Sequence, residues 1–139
     1  MSVKKVLVTG VYGLIAGAIY ERFLSHPEKY EVYALARRRH PSDRAPGGKS
    51  LEISEDRFFL ADLSDFDALH RAVDGMDVIV QMAADPRPEA TWDQILNSNM
   101  IGAYNVFEAS RDAGVERIVF ASSVMASWGY QFDEPYRAI

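Results

Sequence analysis

Gly10, Gly13 and Ala16 follow one another at intervals of three, directly after the apolar run Val6-Leu7-Val8. Small residues so placed do separate work where a buried strand turns into a helix. The first permits a tight turn, the second lets the backbone approach a pyrophosphate, and the third lets the helix pack closely on the strand. A helix beginning there, with Leu14 and Ile15 in its first turn, offers free N–H groups and a partial positive charge to a phosphate anion. Glycine-rich turns end many strands, so spacing alone is a weak sign. Strand before, helix after and a place near the N-terminus direct it to a dinucleotide. Alanine in the third place, with Gly17 one residue late, is a mild variant.

Other chemistry is bounded by composition. The 139 residues carry a net charge of −5, with 48% hydrophobic and 25% charged residues, as expected of one globular domain with a proper core. No helix bears a basic stripe, which disfavours a nucleic-acid surface while leaving a local basic cluster free to hold a phosphate. The absence of cysteine excludes disulfides, thiolate metal sites and cysteine nucleophiles. His26, His40 and His70 share no ligand spacing. No apolar run approaches the roughly 18 residues of a membrane span. Met1-Ser2-Val3-Lys4-Lys5 enters a strand without a signal peptide, so a cytoplasmic location is expected.

The elements that must position the glycine turn alternate in type. Strands are expected at about Lys4 to Thr9, Glu31 to Ala36, Phe58 to Ala61, Val78 to Met82 and Ile118 to Ala121. Helices fit Gly13 to Ser25, Asp65 to Val73 capped by Ser64, and a long one from the Asp85–Pro88 loop to Ala113, where Gly114 stops it. Arg37 to Asp56 is turn-rich, with Pro41, Pro46, Gly47, Gly48 and Lys49; Val124 to Ile139 shows no period. Such alternation gives a parallel sheet with right-handed crossovers, covered on both faces. Gly10, Asp62, Ala83 and Ser123 all fall at carboxyl ends of strands, where open α/β sheets bind ligands. Asn99 falls inside a helix, where asparagine is a poor helix former, and so suggests a polar task.

Five segments in order give the chain its resemblance to the extended short-chain dehydrogenase/reductase family, in the sugar epimerase/dehydratase group. They are Thr9 to Ala16, Asp62-Leu63-Ser64-Asp65, Val80-Gln81-Met82-Ala83-Ala84, Asn99-Met100-Ile101-Gly102-Ala103-Tyr104-Asn105 and Val119-Phe120-Ala121-Ser122-Ser123. Gln81 stands where the family often has histidine, and the second half resembles most the uronate dehydrogenase-like branch. The resemblance covers residues 3 to 129. It implies an α/β, Rossmann-type, doubly wound sheet of about five strands in the order 3-2-1-4-5. It also implies a site in which Asp62 and Leu63 lie beside adenine, Ala83 and Ala84 admit a ribose, and Asn99 supports a proton-relay water. Ser123 would bind the oxygen undergoing carbonyl/alcohol interconversion, with Ser122 next to it and counted with the cofactor.

Cofactor choice follows from the residues after strand two. The acidic residue that would bind ribose hydroxyls of NAD is replaced by Ala36, followed by Arg37, Arg38 and Arg39. An arginine there pairs with a 2′-phosphate, which favours NADP over NAD. The family's Tyr-x-x-x-Lys base has no counterpart: none of Lys4, Lys5, Lys29 and Lys49 lies four residues after a tyrosine. The expectation is a single cofactor-binding domain without the catalytic helix or the C-terminal substrate region. It would be inactive alone, with a sugar-like substrate only when completed, and homodimer formation is open. The alternatives are a non-catalytic dinucleotide-binding sensor or interaction module, and a remnant without ligand.

Overall fold

The computed structural model describes residues 2–40, 51–126, 128 and 132–134. The chain runs β1 (Lys4–Thr9), α1 (Leu14–Leu24), β2 (Tyr30–Ala36), β3 (Phe58–Leu60), α2 (Phe66–Val73) and β4 (Val78–Gln81). A long helix follows in three parts: α3 (Trp92–Ile95), a π-helical segment (Leu96–Ile101) and α4 (Gly102–Asp112). β5 (Arg117–Phe120) comes last. A 3-10 turn, Glu55–Arg57, leads into β3, and another, Val124–Ala126, follows β5. Five parallel strands stand in the order β3-β2-β1-β4-β5, as expected from the sequence.

Alternation along the buried strands builds two cores. Val6 and Val8 of β1 face α1 with Ala16, Tyr20, Val32 and Val80, whereas Leu7 faces α2 and α4 with Leu35, Leu69, Ile79 and Val106. Side chains two apart share a sheet face, so one strand serves both layers. Full burial of each such Val, Leu or Ile contributes about 1.5–3 kcal/mol. Gln81 and Thr9, both at most 2% exposed, are the polar exceptions where β1 and β4 end.

Local chemistry moves several boundaries from the sequence expectation. Asp65, not Ser64, caps α2: its carboxylate accepts from the Ala68 N–H at 3.0 Å, while Ser64 donates to Asp62. Aspartate and serine are both good caps, and the one whose side chain reaches the third residue of the helix takes the role. The long helix starts at Trp92 behind a Thr91–Gln94 capping box, three residues later than directly after the Asp85–Pro88 loop. Ile95, at the end of α3, is half-buried. Ala16 packs into the first core at 3% exposure, as a helix crossing its strand requires. Within the Arg37–Asp56 stretch, residues 41–50, with Pro41, Pro46, Gly47, Gly48 and Lys49, lie outside the described residues, as does most of the tail after Ala126. Among the described residues, no helix is long and apolar enough to cross a membrane.

Candidate functional site

The carboxyl ends of β1 and β4 adjoin where the order of the parallel strands reverses, since β2 and β3 lie to one side and β5 to the other. Gly10 leaves β1 at φ +68°, and its N–H donates to the Leu35 carbonyl at 2.7 Å. A β-carbon there would stand 2.9 Å from Ala83 Cα, so only glycine lets these two loops touch. The Gly13 N–H closes the turn on the Gly10 carbonyl at 2.8 Å. Gly13 is then the N-cap of α1, and no side chain caps this helix, whereas Asp65 caps α2 and Thr91 caps α3. The first N–H groups of an α-helix have no intrahelical acceptor. At Leu14 and Ile15 they meet no acceptor among the described residues and lie beneath exposed side chains.

Ala83 is held from below. The hydroxyl of Thr9 accepts from the N–H groups of Met82 and Ala83, both at 3.0 Å, and donates to Gln81 Oε1 at 2.6 Å. Gln81 Nε2 donates onward to the Ala83 carbonyl at 2.9 Å. Ala84 is exposed beyond it. Asp85 is buried again: its carboxylate accepts from the Arg87 backbone N–H and guanidinium, and its own N–H and carbonyl both bond the Asn99 amide, at 2.6 and 3.0 Å. The Arg87 guanidinium holds the Asp85 carboxyl down at about 2. The Ser98 hydroxyl shares its hydrogen between the Gln94 carbonyl at 2.6 Å and Asn99 Oδ1 at 2.9 Å; of the two Asn99 amide hydrogens one goes to Asp85, and the other has no partner among the described residues. It sits in the π-helical segment, a distortion frequent at functional sites.

On the other flank, Asp62 Oδ1 accepts from the N–H and hydroxyl of Ser64 at 2.9 and 2.8 Å. These bonds hold the Asp62 carboxyl below its ordinary value, the Ser64 N–H most of all, and the Arg37 charge adds to the effect. Leu63 is buried; its carbonyl accepts from Asn105, and its side chain fills the space a β-carbon on Gly102 would need. Arg37, Arg38 and Arg39 follow β2, all exposed. They part company at once. Arg39 pairs with both carboxylate oxygens of Glu55 and stacks over Phe58, with its guanidinium carbon 4.3 Å from the ring centre. The Arg37 charge acts on Asp62 and Asp85. Among the described residues, no salt bridge engages Arg38.

Ser122 and Ser123 are exposed past the end of β5, and the Ser123 hydroxyl accepts from the Met125 N–H at 3.1 Å. The fold thus gathers Gly10, Gly13, Ala83 and Ala84 at the β1/β4 switch point, Arg37 and Asp62 on one side, and Asn99 through Asp85 on the other. The serines lie farther out, just after β5, which is an edge of the sheet among the described residues. Thr9, Asp85 and Arg87 have bonding roles that the residue pattern did not announce. Their partners lie in other elements or in an irregular loop, and no local period marks them.

Similarity to other proteins follows the same frame. A model of the NAD dependent epimerase/dehydratase family matches residues 6–133. NAD-dependent glucose-6-phosphate dehydrogenase of Haloferax volcanii is 35% identical over 127 residues, 91% of this chain and 45% of that protein. Uronate dehydrogenase of Pseudomonas putida is 31% identical over 130 residues, 94% and 44% of the two. The crystal structure of a mutant uronate dehydrogenase from Agrobacterium tumefaciens complexed with NAD superposes with a TM-score of 0.67 at 34% identity. It covers 88% of this chain and 42% of that one. The chain spans less than half the length of these relatives. With the match running from β1 past β5, this chain belongs to the NAD dependent epimerase/dehydratase family.

Proposed function

We propose that this chain is the dinucleotide-binding part of an extended short-chain dehydrogenase/reductase acting on a sugar, sugar acid or nucleotide sugar. The observation that carries the reading is the start of α1. This helix alone among α1, α2 and α3 lacks a side-chain cap, and it opens at the switch point under the Gly10 turn. Its N–H groups at Leu14 and Ile15 suit a pyrophosphate. The small side chains of Ala83 and Ala84 leave room for ribose, and Asp62 and Leu63 flank the adenine end. A nicotinamide dinucleotide held by these residues would supply hydride exchange with a sugar carbon. Ser123 holds the reacting oxygen by a hydrogen bond, and Asn99 fixes the loop beside it while keeping a hydrogen for a relay water. With no Tyr-x-x-x-Lys pair among the 139 residues, the chain alone turns nothing over. A cytoplasmic location belongs to the same reading.

NADP is preferred to NAD in this proposal. Ala36 leaves no carboxylate to repel a 2′-phosphate, and among the described residues no salt bridge engages Arg38. Arg37 contributes less, because its charge already serves Asp62 and Asp85. Titrating NADPH and NADH by nicotinamide fluorescence tests this. Losing one charge-assisted contact costs on the order of 1.5–3 kcal/mol. Arg38→Ala should therefore weaken NADPH by roughly tenfold or more and leave NADH little changed, with Arg37→Ala in between. Equal weakening of both cofactors would reduce the arginines to a solvated loop.

A further inference from the structure

A glutamine only 2% exposed at the end of a strand is costly unless its amide oxygen and nitrogen both find partners, and here they do. The Thr9 hydroxyl has one hydrogen and two acceptor positions. Both acceptor positions are taken by the N–H groups of Met82 and Ala83. Its hydrogen must therefore point at an acceptor, which fixes Oε1 of Gln81 toward Thr9 at 2.6 Å. Nε2 is then forced toward the Ala83 carbonyl at 2.9 Å. A flipped amide would place oxygen against the Ala83 carbonyl and leave the Thr9 hydrogen facing a donor. Only one arrangement is open, and no titratable side chain takes part in it. Its effect reaches the surface through Ala83, whose backbone lies where a β-carbon on Gly10 would be.

We propose that Gln81 is a positioning residue for the dinucleotide: its buried amide sets the separation between the Gly10 turn and the Ala83 loop, and hence the width of the crevice floor. The inference rests on the dinucleotide reading above. Gln81 touches no ligand itself and acts through the Ala83 backbone. Asparagine is a methylene too short to span Thr9 and Ala83, and leucine fills the volume without either bond. Glutamate reproduces both bonds only when protonated, its O–H donating to Ala83 and its carbonyl accepting from Thr9. Ionised, it sets an oxygen against the Ala83 carbonyl.

The experiment measures NADPH and AMP affinity for the 139-residue chain and its Gln81→Glu and Gln81→Leu variants at pH 5 to 8, with thermal unfolding recorded alongside. The wild-type affinity should vary little with pH. Gln81→Glu should bind NADPH within about threefold of wild type at pH 5 and roughly tenfold or more weaker at pH 8, as the buried carboxyl ionises. Gln81→Leu should be weak throughout, with AMP affinity kept in both folded variants. NADPH affinity unchanged in Gln81→Leu, or a loss in Gln81→Glu without pH dependence, overturns the proposal. Parallel loss of AMP and NADPH together with a collapsed unfolding temperature also overturns it, by reducing Gln81 to a core residue. Failure of the wild-type chain to bind NADPH or NADH would instead reject the dinucleotide reading and this inference with it.

Discussion

Asp85 shows how much a single residue in this site depends on distant partners. Its carboxylate is clasped by Arg87, while Asn99, fourteen positions on, grips its backbone from both sides. The folded carboxyl sits at about 2, below its ordinary 3.8, so the pair adds stability above the ordinary range and loses it as pH falls from 3.8 toward 2. Asp85→Asn should cost about 1–3 kcal/mol near neutral pH, and the gap to wild type should close in acid. Urea denaturation at pH 7 and pH 2.5 reads both, and a gap independent of pH would contradict the assignment. None of this was legible in the sequence, where Asp85 opened a plain proline loop. The glycine turn was legible because its constraint is local: Gly10 needs a positive φ and Gly13 begins a helix three residues later. The Thr9–Gln81 pair joins residues 72 positions apart, and such a bond leaves no trace in local spacing.

At the scale of elements, hydrophobic patterning located all five strands and all the helices, with ends shifted by a few residues. Strands buried on both faces read as continuous apolar runs, which makes them conspicuous. The π-helical segment around Asn99 was not legible, because a single i→i+5 turn within a helix is marked by no residue type of its own. Its consequence is mechanical: it feeds Gly102 into α4 directly against Leu63, next to Asp62. A β-carbon on Gly102 would lie 2.8 Å from the Leu63 β-carbon. Although alanine is the better helix former, Gly102→Ala should destabilise the chain by about 1–3 kcal/mol, because overpacking outweighs propensity. It should also weaken adenine-nucleotide binding by displacing the Asp62–Leu63 turn. Denaturant unfolding with AMP titration checks both, and a stabilised variant would mean the helix and turn part freely.

For the whole molecule, the sheet ends on β5, which pairs only with β4 among the described residues. Beside it, Phe107 and Phe120 meet edge to face at 5.4 Å, and Tyr104 and Met100 are more than half exposed on the long helix. An unpaired strand edge flanked by apolar side chains associates. The chain is accordingly expected to form dimers weakly through this flank, or to have it covered by the residues after Val124. Sedimentation combined with limited proteolysis decides: a clean monomer with a fully cleavable tail contradicts both. Across the switch point from this flank lies the uncapped start of α1, the proposed dinucleotide site. Gly13 has φ −76°, so a side chain there costs little backbone strain and falls close to the Gly10 carbonyl, 3.1 Å away. Calorimetric titration of NADPH and NADH into the wild-type chain and Gly13→Val tests the claim most directly. Wild type should bind both, NADPH more tightly, and a folded Gly13→Val should bind neither. Affinity unchanged in the variant, or absent from wild type, would contradict it.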